Sequence, residues 1–250
     1  MLTPDLVEYK TLSWWVGRLG SAKGKNMSKV WDRILALAST VESRFAATGE
    51  LIPEQASIDG YDWYNKIYTG KTYRRAHVEI VDKREDFKIL ILHCTIFPHY
   101  NDPSPIWGFD AVCGANKITG AFHDVSSGGV PNHFMVEWFA EQSQALTWNK
   151  KRELPEWAAE IFSPYIIAAG NVSEDAELDM LTTLALTSLD YYLENVGKTA
   201  QDEVDYYPVQ LKYNQNNKLN PHVKRSMISM GVPEPVITKF IDEVLYPEAR

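Results

Sequence analysis

The sequence predicts a three-layer α/β/α sandwich of the α+β class, with a central antiparallel β-sheet, built by one domain over residues 1–250. Three observations lead to this fold. Apolar residues repeat with a helical period before Gly49, with a period of two from Tyr73 to Val125, and with a helical period again after Pro131. The turns of the middle zone are too short for a crossover helix, so consecutive strands should be antiparallel. Helices before and after a single sheet can cover both of its faces.

The helices are predicted from apolar spacing and from their end signals. The first runs from Ser28 as N-cap to Gly49 as its end, and a loop rich in Tyr, Asp and Gly is expected from there to about Gly70. Later helices are predicted in NHFMVEWFAEQSQAL, in the short LPEWAAEIF and in SEDAELDMLTTLALTSLDYYLENVG, the last with Ser173 as N-cap and Gly197 as its end. Helical patterns continue to PEPVITKFIDEVLYP.

Four strands are predicted in the middle zone, YRRAHVEIV, FKILILHCTIF, IWGFDAVCG and ITGAFHDV. They are separated by the turn-rich segments DKRED, PHYNDPSP and ANK. Such short connections place neighbours in sequence beside each other, so a meander is expected.

Composition limits the classes of function. Hydrophobic residues make up 45% and charged residues 23%, as in ordinary globular proteins. The net charge of −8 argues against a general nucleic-acid or anionic-membrane surface, so any basic docking patch must be local. Cys94 and Cys113 both fall in predicted strands, which favours a reducing cytoplasm over a disulfide framework. No membrane-spanning apolar run or signal peptide is found, so we expect a cytoplasmic protein without a membrane partner. No GxGxxG or P-loop motif is found, so we expect no nucleotide or flavin cofactor. We also expect a monomer that does not bind nucleic acid.

Two apolar strands each carry an ionisable residue, His93 and Asp110, where a lone charge would be costly. Alternation places His77 and Glu79 on one face of their strand, and neighbouring strands would bring Glu79, His93 and Asp110 onto one sheet face. Gly108 would leave that face open for a ligand. A single buried histidine is often structural, but three ionisable groups on one face indicate a site.

Two chemical classes remain open for this set of residues. His77, Glu79, His93 and Asp110 include enough ligands for a site of two histidines and one carboxylate holding a metal, although the spacing matches no helical HExxH-type motif. Alternatively, two acids and an imidazole with separated pKa values could deliver protons to different atoms of a conjugated ligand.

Several segments resemble the ferredoxin-dependent bilin reductases, and among them the members that make phycocyanobilin. These segments are RRAHVEIV, ILHCTIFP, WGFDAVCG, RELPEWAAEIFS and KYNQNNKLNPHVKR, and the likeness extends from about Tyr73 to Arg225. The resemblance implies an α/β/α sandwich that binds biliverdin IXα between the sheet and the C-terminal helices. It also implies no bound metal or organic cofactor, single electrons from reduced [2Fe-2S] ferredoxin through bilin radicals, and heme oxygenase as the upstream supplier of biliverdin.

The resemblance also implies residue roles. Asp110 would protonate the bilin at its lactam end, His93 would relay protons beside it, and Glu79 would serve the D-ring vinyl group. The presence of all three favours reduction of biliverdin IXα to phycocyanobilin. His77 would lie next to them at the substrate, and Arg152 would bind a propionate.

The C-terminal motif departs from the family pattern. Asn220-Pro221-His222 stands where relatives often carry Asn-Asp-Lys or an Asp-Pro, so the usual acid and lysine are missing. Asn220 stays a substrate-binding candidate, and Lys224 or Arg225 is expected to replace the lysine. Phycoerythrobilin is therefore an alternative product, and a metal-dependent enzyme or a non-catalytic tetrapyrrole-binding protein are alternatives from other classes.

The partner surface is also predicted. Because plant-type ferredoxins are acidic, docking on this acidic chain requires a local basic patch. The first candidates are Lys212, Lys218, Lys224 and Arg225, and the second are Lys83 and Arg84.

Overall fold

The structure, a computed structural model, describes residues 28–53, 63–127, 130 and 132–248. Its centre is a seven-stranded antiparallel sheet in which the strands follow one another in chain order. The strands are β1 (Gly49–Leu51), β2 (Tyr64–Gly70), β3 (Tyr73–Lys83), β4 (Ile89–Pro98), β5 (Ile106–Cys113), β6 (Ile118–Ser126) and β7 (Ile167–Ala169). The predicted meander is confirmed and forms the middle of this sheet.

Helices lie on both faces of the sheet, which confirms the three-layer sandwich. They are α1 (Lys29–Thr48), α2 (Phe134–Gln144), α3 (Glu156–Ala159), α4 (Asp175–Asn195), α5 (Tyr207–Lys218), α6 (Pro221–Ser229) and α7 (Glu234–Lys239), which continues into a π-helical turn (Phe240–Leu245). The front layer of α1, α2 and α4 shares one apolar core with the sheet. The back layer consists of the short α3 and the C-terminal helices.

Helix α1 shows why the front layer is predictable. Its N-cap is Ser28, whose hydroxyl accepts a hydrogen bond from the backbone N–H of Trp31 (3.3 Å), and its C-cap is Gly49. A Cβ at Gly49 would collide with Thr69 and the Tyr73 hydroxyl, so glycine is required by close packing. The apolar positions at helical spacing are all buried against the sheet: Val30, Ile34, Leu37, Val41 and Phe45.

The predicted loop up to Gly70 is wrong where the structure describes it. Gly49–Leu51 and Tyr64–Gly70 are strands, whereas residues 54–62 lie outside the described residues. Strand β2 has the sequence YNKIYTG, in which only Ile67 and Tyr68 are buried, so it lacks an apolar alternation. It is a strand because its backbone pairs with β3, a tertiary effect that local sequence does not report.

Two helix boundaries and one strand also differ from the prediction. Helix α4 begins at Asp175 with Glu174 as N-cap, so Ser173 is not its cap, but the helix ends before Gly197 as predicted. Gly197 has a φ of +86°, a conformation that glycine adopts without strain. Helix α3 is only four residues long. Strand β7 was not predicted, because three residues are too short to show a period.

The C-terminal segment is fastened across the back of the sheet. The Arg75 guanidinium donates to the carbonyl of Val244, the Tyr207 hydroxyl donates to the carbonyl of Glu248 (2.6 Å), and Asn214 donates to the carbonyl of Pro247 (2.6 Å). These bonds hold the back helices over the sheet and define the space between them. No helix in the described ranges has the length and apolar character to cross a bilayer.

Candidate active site

A cavity of about 350 Å³ lies between the sheet and the back layer. This volume is within the range of small-molecule sites. Its floor is formed by β3, β4, β5 and β6, and its opposite wall by α5, α6 and the π-helical turn. Residues 152–155 and α3 form a third side.

Glu79, His93 and Asp110 form one row across the cavity floor. In the antiparallel register Glu79 is directly opposite His93, and His93 is directly opposite Asp110. Directly opposed residues have Cβ atoms about 4.5–5.5 Å apart, so the three side chains are immediate neighbours on one face. All three line the cavity, which confirms that they share one sheet face.

The environment raises the pKa values of the two carboxyl groups of the row. Removal from bulk water, with the Asp110 charge as a second cause, raises the pKa of Glu79 to about 8, although the neighbouring Trp63 side chain opposes the rise. Removal from water likewise raises the pKa of Asp110 to about 7, against the opposing effect of the Ala111 backbone. The partial exposure of the Asp110 side chain is toward the cavity. Both groups therefore hold their protons to a higher pH than solvent-exposed carboxyls do.

His93 is the neutral member of the row. Removal from water, and secondly the charge of Arg75, lowers the pKa of its imidazole to about 4. Its Nε2 atom is buried and has no hydrogen-bond partner among the described residues, and the same is true of the Thr95 hydroxyl on the same strand of the cavity floor. Buried polar atoms are normally satisfied, so these two atoms are available to a ligand.

His77 is close to the row but does not line the cavity. Its Nε2 is hydrogen-bonded to Asn65, it is fully buried, and its ring centroid is 5.8 Å from that of His93. Burial, followed by the charges of Arg75 and His93, holds its pKa well below the usual range. The structure thus puts His77 beside His93 but outside the lining of this cavity.

Gly108 lines the cavity as predicted, but a tyrosine hydroxyl covers part of the space above it. A Cβ at Gly108 would be 3.6 Å from the hydroxyl oxygen of Tyr213, which comes from α5. Tyr213 is buried, and its ring packs edge-on against Phe97 at 5.8 Å. Sequence reasoning missed Tyr213, because nothing in the polar α5 sequence distinguishes it from the other tyrosines.

Asp124 is a second missed cavity residue. Its carboxylate accepts hydrogen bonds from the Ser126 hydroxyl (2.7 Å), the Ser163 hydroxyl (2.5 Å) and the Ser163 N–H (2.8 Å). Burial raises its pKa to about 6, against these bonds. Asp124 lies within β6, which continues to Ser126. The alternation of ITGAFHDV was the available signal, because it puts Asp124 on the same sheet face as Phe122. Phe122 pairs with Asp110 in the register, so this is also the face of Asp110.

Arg152 is at the mouth of the cavity. Its guanidinium lies 5.6 Å from the centre of the Phe122 ring, and its Nη1 donates to the carbonyl of Thr119 (3.3 Å). A Cβ at Gly120 would collide with this guanidinium, so glycine makes room for it. Most N–H donors of this exposed guanidinium remain available to an anionic group of a ligand.

The C-terminal candidates divide into two groups. Asn220 lines the cavity and is the N-cap of α6, with its side chain accepting from the N–H of His222 (3.0 Å). Lys224 and Arg225 do not line the cavity, and Lys224 is paired with Glu234. The structure therefore gives no support to either cation as the replacement for the missing lysine.

Tyr246 is the third missed residue. It follows the π-helical turn, is buried, and has its ring centroid 6.2 Å from that of His93 across the cavity. Single π-helical turns often occur at functional sites. The sequence carries no signal for this turn, because its residues also fit an ordinary helix.

The geometry does not favour a metal site. Among the described residues, which include His77, Glu79, His93 and Asp110, no group of three or more His, Cys, Asp or Glu side chains is arranged to hold a metal ion. The row instead presents its polar atoms side by side toward the cavity, an arrangement suited to a ligand with several polar groups.

Sequence comparison places this site in a known context. Residues 28–247 match the sequence model of the ferredoxin-dependent bilin reductases. A curated relative from Prochlorococcus marinus named phycocyanobilin:ferredoxin oxidoreductase is 27% identical over 218 residues, covering 85% of this chain and 78% of the relative. A relative of the same name from Gloeobacter violaceus is 23% identical over 188 residues, covering 73% of this chain and 72% of the relative.

Solved structures share the fold. A protein named PcyX has a TM-score of 0.62 at 23% identity, covering 87% of this chain and 99% of its own. Tomato phytochromobilin synthase, solved in complex with biliverdin, has a TM-score of 0.66 at 14% identity, covering 87% of this chain and 83% of its own. With 28–247 matched by the family's sequence model, the chain belongs to the ferredoxin-dependent bilin reductase family.

Proposed function

We propose that this protein reduces biliverdin IXα to phycocyanobilin, with single electrons from reduced ferredoxin and protons from its own side chains. The observation that carries the proposal is the Glu79–His93–Asp110 row on the cavity floor, in which two carboxyl groups hold protons near neutral pH beside a neutral imidazole. In this proposal the chain acts as a cytoplasmic monomer and heme oxygenase supplies the biliverdin.

The chemistry requires such a row because ferredoxin delivers electrons without protons. Reduction of one double bond takes two electrons and two protons, so the protein must supply a proton for every electron. A protonated carboxyl group with a pKa near 7 or 8 is matched to donation at neutral pH. The electrons pass through radical intermediates, since they arrive one at a time.

Each member of the row has a separate task in this proposal. Asp110 donates a proton at the lactam end of the bilin. His93, whose Nε2 is unpartnered among the described residues, accepts and passes protons beside it. Glu79, at the other end of the row, protonates the D-ring vinyl group. Arg152 binds a propionate at the mouth, where its exposed guanidinium can make a bidentate contact.

The complete acid–imidazole–acid set supports phycocyanobilin as the product. Two vinyl-reducing steps need a donor at each end of the row, and both ends carry a carboxyl group with a raised pKa. The relatives named phycocyanobilin:ferredoxin oxidoreductase agree with this choice. Phycoerythrobilin is the competing product, because Asn220-Pro221-His222 changes the opposite wall.

An anaerobic turnover assay tests the proposal. The protein is mixed with biliverdin IXα, reduced plant-type ferredoxin and a ferredoxin-reducing system, and the product is identified by chromatography. We expect phycocyanobilin from the wild type, and from Glu79→Gln a partly reduced bilin whose D-ring vinyl group is intact. Phycoerythrobilin would overturn the product assignment, and saturable binding without turnover would indicate a tetrapyrrole carrier.

A further inference from the structure

The cations first expected to bind ferredoxin are mostly neutralised within the chain. Lys212 pairs with Glu160 (2.9 Å), and Lys224 pairs with Glu234. Lys218 pairs with both Asp242 (2.9 Å) and Glu248 (2.6 Å). Arg225, which follows Lys224 in the chain, is exposed and lacks such a pair within the described residues. This surface therefore presents little net positive charge to an acidic partner.

The second candidates for the docking patch, Lys83 and Arg84, also present little free positive charge. Arg84 is held by Asp82, with its Nε and Nη2 donating to the two carboxylate oxygens at 2.8 Å each. Lys83 beside it is half-buried. A single lysine next to an internal ion pair is a weak target for a protein partner.

A different group of cations is exposed and unpaired. Lys117 lies in the turn between β5 and β6, and Lys150 and Lys151 precede Arg152 in the chain. In the described part of the chain, none of these lysines forms an ion pair with a carboxylate. We call Lys117, Lys150 and Lys151 the basic edge. Glu153 and Glu156 follow it in sequence, so it is a local positive surface with acids on one side.

Backbone bonds hold the basic edge in place. The N–H of Gly170 donates to the carbonyl of Lys150 (2.9 Å), which adds residues 150–152 to the outer side of β7. On the inner side of the same segment, Ile118, next to Lys117, exchanges two backbone bonds with Val172 (2.8 and 3.0 Å). The Glu177 carboxylate also accepts from the N–H of Asn149 (2.7 Å). The lysines are therefore presented by a fixed backbone.

The basic edge adjoins the mouth of the cavity. Lys151 directly precedes Arg152, and Lys150 precedes Arg152 by two positions. Lys117 precedes Thr119 by two positions, and both Arg152 and Thr119 line the cavity. An electron donor must bring its iron–sulfur cluster close to the bilin, because electron transfer slows steeply with distance. Docking on this edge satisfies that requirement, whereas an unpaired lysine at the far end of the sheet does not.

We propose that the acidic iron–sulfur donor docks on the basic edge formed by Lys117, Lys150 and Lys151, beside the cavity mouth. This inference rests on the proposed function, since it names the surface that receives the electrons for that reaction. Charge complementarity steers the encounter, so the association should weaken as salt shortens the range of the interaction to about 8–10 Å.

The test is a charge-reversal pair with a matched control. The test variant is Lys150→Glu with Lys151→Glu. The control is Lys71→Glu with Lys198→Glu, two exposed lysines without a carboxylate partner in the described residues, which lie near each other where Gly197 packs on Thr72. That place is at the opposite end of the sheet from Lys117. Both variants make the same change in net charge.

Three measurements are compared: biliverdin binding by absorbance titration, turnover with reduced plant-type [2Fe–2S] ferredoxin, and the salt dependence of that turnover. We expect unchanged biliverdin binding in both variants. In the test variant we expect the KM for ferredoxin to rise at least about tenfold and its salt dependence to flatten, because electrostatic steering is worth about 10–10³ in association rate. The control should remain within about twofold of the wild type.

Each other outcome overturns the docking site. Equal KM values in the test variant and the wild type place the donor elsewhere, and equal losses in both variants indicate general charge repulsion. Loss of biliverdin binding in the test variant assigns the lysines to the substrate. If the wild type itself binds biliverdin but accepts no electrons from ferredoxin, the proposed function fails, and that failure is separate from these.

Discussion

The two walls of the cavity are built in different ways. The sheet floor places Glu79, His93 and Asp110 by a continuous backbone ladder, so one register fixes all three side chains. The helical wall gathers Tyr213 from α5, Asn220 from the start of α6 and Tyr246 from beyond the π-helical turn. The position of this wall depends on hydrogen bonds such as the one that the Arg75 guanidinium donates to the carbonyl of Val244. The floor is thus suited to chemistry that needs fixed distances, and the helical wall to covering a ligand.

The two faces of the same sheet differ in a second, informative way. His93 lines the cavity with an unpartnered Nε2 among the described residues, whereas the His123 ring packs on Phe139 and Ser188 of the front layer with both nitrogens bonded. The Nδ1 of His123 is 2.7 Å from the carbonyl oxygen of Gly108, and its Nε2 is 2.7 Å from the Ser188 hydroxyl. Two strand histidines with similarly lowered pKa values therefore have different surroundings.

The largest expected effect separates these two histidines. His93→Gln should lower the turnover rate by about 10²–10⁴-fold, the usual contribution of a proton-transfer group, while biliverdin affinity and stability stay close to the wild type. His123→Gln should lower the free energy of unfolding by about 1–3 kcal/mol, because it leaves buried polar groups unpaired. Its turnover per folded molecule should change by less than about twofold. Steady-state kinetics and urea denaturation of both variants make the comparison.

The reverse pattern would break the contrast between the two faces. A stable His123→Gln with slow turnover would mean that protons cross the sheet. A His93→Gln variant that is fully active but unstable would make His93 a structural residue.

A smaller effect is expected at the mouth. Arg152→Gln should weaken biliverdin binding by about tenfold, since it removes a charged hydrogen bond to a partly solvated carboxylate, and should leave the turnover rate at saturating substrate nearly unchanged. Lys151→Gln, a neighbouring exposed cation outside the cavity wall, is the control and should bind biliverdin like the wild type. Absorbance titration measures both. Equal weakening in the two variants would point to a general charge effect rather than a binding contact.

The smallest expected effect is on stability as a function of pH. The pKa of Glu79 is raised from 4.5 to about 8, so the folded state binds this proton more tightly than the unfolded state. The associated stabilisation is complete below pH 4.5 and is lost as the pH rises toward 8. Glu79→Gln removes this loss, so its Tm should fall by several degrees less than that of the wild type between pH 5 and 8.

Glu153→Gln is the matched control for the pH experiment, because Glu153 is an exposed carboxyl at the same cavity. Its Tm should follow the wild type at every pH. If Glu79→Gln also follows the wild type, Glu79 titrates normally and is not held protonated by the fold.

The sheet floor was predictable from the sequence, and the helical wall was not. Period-two alternation assigns each side chain to a face, and short turns make neighbours in sequence neighbours in space, so Glu79, His93 and Asp110 follow from local pattern. The same reasoning would have included Asp124. Tyr213 and Tyr246 reach the cavity only through helix packing and a π-helical turn, which depend on contacts distant in sequence.

The residues and strands that a residue contacts also limit what the sequence can predict about its role. His77 follows the alternation onto the correct face but does not line the cavity, since a register gives a face and not the boundary of a cavity. Lys224 matches the place of an expected cation, yet its charge is taken by Glu234, ten residues later in the chain. Strand β2 depends on pairing with β3, so its polar sequence did not predict it.

The central claim is that the row on the sheet floor delivers protons to the bilin, and Asp110→Asn tests it most directly. This change keeps the shape of the side chain but removes its acidic proton. After anaerobic mixing of the biliverdin complex with reduced ferredoxin, absorbance and electron paramagnetic resonance should show that the first electron arrives and that a bilin radical persists. Product formation should slow by about 10²–10⁴-fold. If Asp110→Asn binds biliverdin and forms product at nearly the wild-type rate without an accumulated radical, Asp110 is structural and the account is wrong.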